Sequence, residues 1–261
     1  MKTSSPYPSW AWRPYSVWYR HMRVYTQNLV SNGFPTLVEP LLFLAGVGLG
    51  LGKYMTGSME GLGFLEFLGT GLLMTAAMYT AAFECTFGTF IRMEFEKVYD
   101  GMLAAPITAR DLIVGEILWV GTKGFFFSLS VLAVLSVFGV LRLPQSLPAP
   151  LVGFLTGLMF GVLSMLVTSF VKTLHHFNFY LTGVLTPMFT VSGVIFPVGD
   201  LPAWLQVLAE AMPLTHAVRL ARAICAARYE IGLLWDLAYI GAFVVVVGWL
   251  AVIRLRRRLV S

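Results

Sequence analysis

Six runs of about 20 apolar residues constrain this chain more than any other feature, because that is the length a helix needs to cross the hydrocarbon of a bilayer. They lie at about Pro35–Gly52, Leu65–Phe90, Leu112–Leu141, Leu151–Val171, Phe177–Phe196 and Leu233–Ile253. Only 12% of the 261 residues are charged, against about 25% in a soluble domain. A chain so poor in charge cannot cover a water-facing surface, so lipid must cover much of it. The reading is an all-α membrane protein of one domain. Residues 1–34 form an N-terminal cytoplasmic segment, 35–253 the six-helix domain, and 254–261 a basic tail. Residues 1–23 are rich in Trp, Tyr, Pro and Arg and lack the apolar core of a signal peptide.

Six spans put both termini on one side, and the basic residues choose it. With the termini inside, the inner segments hold Lys2, Arg13, Arg20, Arg23, Arg92, Lys97, Arg110, Lys172, Arg254, Arg256, Arg257 and Arg258, against Lys53, Arg142, Arg219, Arg222 and Arg228 outside. The excess favours cytoplasmic termini in the inner membrane. The same clustering beside apolar spans explains the net charge of +5 without nucleic acid. Cys85 and Cys225 stand far apart and outside any CxxC pattern, so no metal site or disulfide framework is implied.

Three non-spanning segments stand out. Trp18, Met22, Tyr25 and Leu29 recur at helical spacing, with Arg20, Arg23 and Gln27 opposite, as in an amphipathic helix lying on the membrane surface. Between the second and third spans, Phe95, Val98, Tyr99, Met102 and Leu103 mark one face of a crosswise helix over about residues 94–105. Pro106 ends it, and Thr108 with Asp111 reads as a capping box opening the third span. Between the fifth and sixth spans, Pro197, Pro202 and Pro213 divide residues 198–228 into two short helices, capped by Asp200 and Thr215. Neither is long enough to cross, so they form a re-entrant hairpin on the outer face.

Few residues suggest chemistry. The glycines at 46, 48, 50 and 52 before Lys53 are not a phosphate loop: Val47 stands where the pattern needs Gly and Tyr54 where it needs Ser or Thr. Small residues at that spacing allow close helix packing instead. Glu39 near the first span's inner end reads as snorkelling to water. Glu84 and Lys123 are expected at similar depth on antiparallel helices, facing each other or a shared wet cavity, either as a structural pair or as a polar patch on a translocation route. Arg219 and Arg222 share a helix face, suited to lipid phosphates or an anionic headgroup. The adjacent His175 and His176 point apart in a solvated turn. No catalytic constellation and no metal-ligand set is present.

This order of parts resembles the ABC-2 type permeases, and two stretches carry the resemblance. "VYDGMLAAPITARDLIVGEIL", Val98 to Leu118, is similar to that family's coupling region, although Asp100 departs from the longer polar residue or Thr common there. "SGVIFPVGDLPAWLQVLAEAMPLTHAVRLARAI", Ser192 to Ile224, is similar to its most characteristic segment, the end of span five and the hairpin. The branch it most resembles is the nodulation-type lipo-oligosaccharide and drug exporters. The resemblance implies a transport subunit rather than an enzyme. It implies a second permease chain, a homodimer, docked on cytoplasmic ABC ATPase subunits that hold ATP and Mg, with no cofactor in this chain. It also implies an ATPase-coupling set of Phe95, Val98, Tyr99, Asp100, Met102 and Leu103. Glu84, Lys123, Arg219 and Arg222 are translocation-path candidates, and an amphipathic cargo fits an apolar route. The competing readings are an ion-gradient-driven secondary transporter, for which only Glu84 and Lys123 could form a relay, and a membrane enzyme, for which no catalytic set exists.

Overall fold

A computed structural model of the chain describes residues 9–28 and 57–260 continuously, together with isolated positions between 34 and 54. Most of the first expected span, Glu39, Leu29, and Gly48 and Gly52 of the glycine run lie outside the described residues.

Among the described residues four helices are long and apolar enough to cross a membrane. They are α2 (Phe64–Phe95), α4 (Ala109–Val137), α5 (Ala149–Phe170) and α9 (Gly232–Val260). α1 (Trp12–Gln27) precedes them, and α3 (Val98–Leu103) joins α2 to α4. The fifth expected span is a shorter, segmented helix, α6. It runs through Phe177–Tyr180, a π turn at Leu181–Leu185 and Thr186–Val191. It stops before Gly193, whose φ of +76° no side-chain-bearing residue adopts readily. The hairpin follows as α7 (Ala203–Glu210) and α8 (Pro213–Cys225).

α5 is central and packs against α2, α4, α8 and α9. Its contact with α4 is the tightest, because glycines face each other there. A Cβ on Gly157 would lie 2.8 Å from the Val120 carbonyl oxygen and 3.0 Å from the Gly121 Cα. A Cβ on Gly124 would lie 2.6 Å from the Gly153 carbonyl oxygen. Without a hydrophobic drive between helices in lipid, such close backbone approach supplies the attraction. The sequence reading sought this device in the first span; the described structure places it between α4 and α5.

α2 is irregular in its second half, with π turns at Glu84–Gly88 and Ile91–Phe95. The backbone groups these free are taken up by neighbours: Thr168 Oγ1 of α5 donates to the Cys85 carbonyl at 2.7 Å. At the same end, Arg258 of α9 donates to the carbonyls of Thr168 and Val171, both at 2.6 Å, closing the C-terminus of α5. Its other nitrogen meets Glu94 at 2.8 Å.

Three local expectations are corrected. The crosswise helix is shorter than residues 94–105, because Lys97 takes a left-handed conformation (φ +52°) that ends α2 and restarts the chain at Val98. Phe95 and Glu94 therefore belong to α2. Asp200 does not cap α7, whose first turn follows Pro202. Thr215 does not cap α8, which starts at Pro213; its hydroxyl donates to the Ala209 carbonyl at 2.6 Å, tying the two hairpin helices. The Thr108–Asp111 capping box is present as expected, with Thr108 N donating to Asp111 Oδ2 at 2.9 Å.

The glycine contact makes a direct prediction. Gly157→Ala is expected to destabilise the chain by about 1–3 kcal/mol through overpacking. Gly183→Ala, where a Cβ would meet nothing within 4 Å, should leave the detergent melting temperature unchanged.

Candidate functional site

At the α1 end of the bundle, four helices meet around a buried ion cluster. Glu84 of α2 and Lys123 of α4 face each other at 2.8 Å, the juxtaposition their matched depths imply. Arg92, two turns along α2 from Glu84, reaches back to it at 2.8 Å. Gly88 lies beneath that reach: a Cβ there would sit 3.3 Å from the Arg92 guanidinium. Arg92 Nε also lies 3.3 Å from Glu116 of α4. Glu116 is fully buried; it accepts from Thr89 Oγ1 at 2.9 Å and meets His21 Nε2 of α1 at 3.1 Å. Two carboxylates thus answer two permanent cations, and His21 brings α1 into the same network.

The π turns explain why these residues converge. A regular helix drifts by about 100° per residue. Widening the turn twice keeps Glu84, Thr89 and Arg92 on the side facing α4. Aromatic groups close the cluster from α1: the Lys123 ammonium lies 5.2 Å from the Tyr25 ring centre, and Trp119 packs on Tyr25 at 5.4 Å. Trp18 Nε1 donates to Thr122 Oγ1 at 2.9 Å.

Tyr99 is the link to α3. It is wholly buried, among the largest such side chains, and its phenol sits in the field of Glu116 and Arg92. Burial, and then the Glu116 carboxylate, push that phenol well above its ordinary pKa, so it stays neutral. This corrects the sequence reading, which placed Tyr99 on a face presented to a partner. The expected coupling residues divide three ways. Phe95 and Asp100 are exposed, Val98, Met102 and Leu103 are half-buried, and Tyr99 points into the bundle.

The other end of the bundle holds a second set of charges. Arg222 of α8 is buried, and its guanidinium lies 3.5 Å from the Phe67 ring centre. It donates to Thr70 Oγ1 at 3.2 Å, the Phe67 carbonyl at 3.3 Å and the Gly193 carbonyl at 2.7 Å. It therefore fastens the hairpin to α2 and to the end of α6. Arg219 is much more exposed and points elsewhere, pairing with Glu210 and, at 3.0 Å, with Asp236 of α9. Asp236 is fully buried and lies 2.6 Å from His216 Nδ1, whose other nitrogen faces the Glu210 carbonyl at 2.9 Å. Tyr239 stacks on that imidazole at 3.9 Å. The expected shared face of Arg219 and Arg222 is thus split between two sets of partners.

Sequence reading missed Glu116, His21, His216 and Asp236. Glu116 and Asp236 could have been found as acids inside span-length helices. His21 carries no sequence signal beyond its place on the packed side of α1. His175 and His176 lie exposed in a 3₁₀ turn, and no group of metal-ligating side chains occurs among the described residues.

Span-length apolar helices packed around buried ion clusters define a polytopic membrane protein. Residues 15–226 match the ABC-2 type transporter family, and the chain belongs to it. It is 33% identical over 254 residues to Nodulation protein J of Sinorhizobium fredii, covering 97% of each chain. It is 32% identical to Nodulation protein J of Rhizobium meliloti, over 97% of this chain and 96% of that one. It is 26% identical to the inner membrane transport permease YadH of Escherichia coli, over 78% of each. The chain is therefore a membrane transport permease.

Two predictions follow from the charges. Arg92→Met, which leaves the buried Glu116 without a permanent cation and Glu84 with Lys123 alone, is expected to cost about 3–5 kcal/mol in chemical unfolding. Lys123→Met should cost less, because Glu84 keeps Arg92. At the other end, Arg222→Lys loses the planar fork that serves four acceptors, the fourth being the Glu60 carboxylate at 3.4 Å. It should raise maleimide labelling of Cys225, which is only 8% exposed, several-fold in a Cys85→Ala background, whereas Arg219→Ala should not.

Proposed function

We propose that this chain is the membrane-spanning subunit of an ATP-driven exporter. It carries an amphipathic cargo (a lipo-oligosaccharide, lipid-linked glycan, lipid or drug) across the inner membrane. The observation that carries this reading is the burial of Tyr99. A helix of six residues, α3, is anchored by that side chain into the cluster that joins α1, α2 and α4. A push on α3 from the cytoplasm is then felt by two spans and by the surface helix together.

In this reading the domain crosses six times, with span one over residues 35–52 and span five on α6. Both termini and α3 lie in the cytoplasm, and the hairpin of α7 and α8 lies on the outer face. The basic end of α9, with Arg256, Arg257 and Arg258, supports that orientation. ATP and Mg belong to a separate ABC ATPase, which Phe95, Asp100, Val98, Met102 and Leu103 would meet. A second copy of the chain completes the permease. Glu84 and Lys123 act as a structural part of the transmission rather than as a relay, since each is ion-paired. Arg219 and Arg222 hold the hairpin.

The test is ATP-dependent transport by the chain co-reconstituted with its ATPase. Phe95→Asp or Met102→Glu should abolish copurification of the ATPase and transport together. Tyr99→Ala should retain the ATPase and its hydrolysis but reduce transport at least tenfold. Uphill transport by the chain alone in ATPase-free liposomes would overturn the assignment.

A further inference from the structure

At the hairpin end a cavity of about 230 Å³ opens between the start of α2, the connection that follows α4 and the end of α8. This is far more than the ~10–15 Å³ of the same measure that one water needs. Glu66 and Arg142 both line it. Among the described residues they form no ion pair with each other or with any other group; Glu66 spends one oxygen, Oε2, on the Gly63 amide at 3.1 Å. Two opposite charges border one space without closing on each other. Gln145 adds polar surface, and Leu141 and Cys225 add apolar surface.

That pattern selects by charge. An anion alone is attracted by Arg142 and repelled by Glu66, and a cation alone meets the reverse. A neutral polar group gains from neither. A zwitterion gains from both. The remaining Glu66 oxygen accepts hydrogen bonds, which a primary ammonium donates and a trimethylammonium cannot. The place points the same way. Glu66 stands in the first turn of α2, and Arg142 shortly follows α4, so the cavity sits where two span-length apolar helices end. That is the depth of lipid headgroups. We propose that the cavity seats the headgroup of a zwitterionic lipid carrying a primary ammonium, of the phosphoethanolamine kind, with the ammonium at Glu66 and the phosphate at Arg142. This assignment is independent of the transport reaction and of its direction.

The experiment is native mass spectrometry of the delipidated full chain titrated with phosphatidylethanolamine, phosphatidylglycerol or a neutral galactolipid. One phosphatidylethanolamine per chain should persist at concentrations where the other two are lost. Arg142→Gln and Glu66→Gln should each weaken its retention about fivefold. Gln at 66 keeps the helix cap, so a melting temperature equal to the wild type separates lost binding from lost folding. Should Glu66→Gln lower that temperature, Arg142→Gln alone carries the comparison. Soluble glycerophosphoethanolamine binding as tightly as the lipid upholds the zwitterion site and assigns it to a free molecule. Equal retention of the three lipids, or retention unchanged in the double variant, overturns the proposal.

Discussion

Glu116 is a carboxylate without exposed surface, and everything at the α1 end of the bundle is arranged around that fact. An ion cannot leave water for an apolar interior unless other charges and hydrogen bonds replace the water. Here the replacement comes from two helices, Arg92 and Thr89 from α2 and His21 from α1, with the buried Tyr99 of α3 in the field of the same carboxylate. Such a cluster adds little net stability compared with a well-packed apolar core. What it adds is intolerance of partial separation. Moving α2 away from α4 by a few ångströms exposes unpaired charge in a medium that cannot solvate it. The four elements therefore travel together or re-pair as a set, and that is how a small displacement becomes a rigid-body one.

The charges at the opposite end work on the same principle with a different object. Arg222 holds the hairpin down by donating to the Gly193 carbonyl, in the irregular chain after α6, and to the Phe67 carbonyl in the first turn of α2. His216 and Asp236 join α8 to α9. Non-helical backbone at membrane depth is tolerated where protein satisfies it, and these side chains do so. Side chains that looked in sequence like free cations for an anionic headgroup are instead the fastenings of the hairpin.

Much of the architecture was legible because length and hydropathy are written locally. α2, α4, α5 and α9 fall within a few residues of the expected spans, and the Thr108–Asp111 cap is a local pattern with a local cause. The Glu84–Lys123 pair was legible because rise per residue converts position into depth. What failed depended on rotation rather than depth. The crosswise helix was read as one continuous face from Phe95 to Leu103. A left-handed Lys97, which no propensity rule forecasts for a lysine, rotates the second part against the first and turns Tyr99 inward. The π turns of α2 likewise leave no mark in composition, yet they decide that Arg92 meets both carboxylates. Arg219 and Arg222 lie on adjoining parts of one helix, but long side chains reach across such differences, and their partners on α2 and α9 are distant in sequence.

The length of α3 explains why its anchoring side chain has to be large and neutral. Six residues of helix span about 9 Å, too little to hold an orientation by their own packing, and the flanking Lys97 and Pro106 interrupt hydrogen bonding on either side. A wholly buried tyrosine fixes the helix by area and by its place in the field of Glu116, without adding a third charge to a cluster already balanced. A charged residue there would have to be paired by disturbing Arg92 or Glu116, and the cluster has no spare partner among its permanent ions. An aliphatic residue would pack but would leave Glu116 with fewer neighbours and α3 free to rotate about its axis. The aromatic ring with a polar tip meets both demands at once, which ties the identity of residue 99 to the Glu116 carboxylate on the following helix.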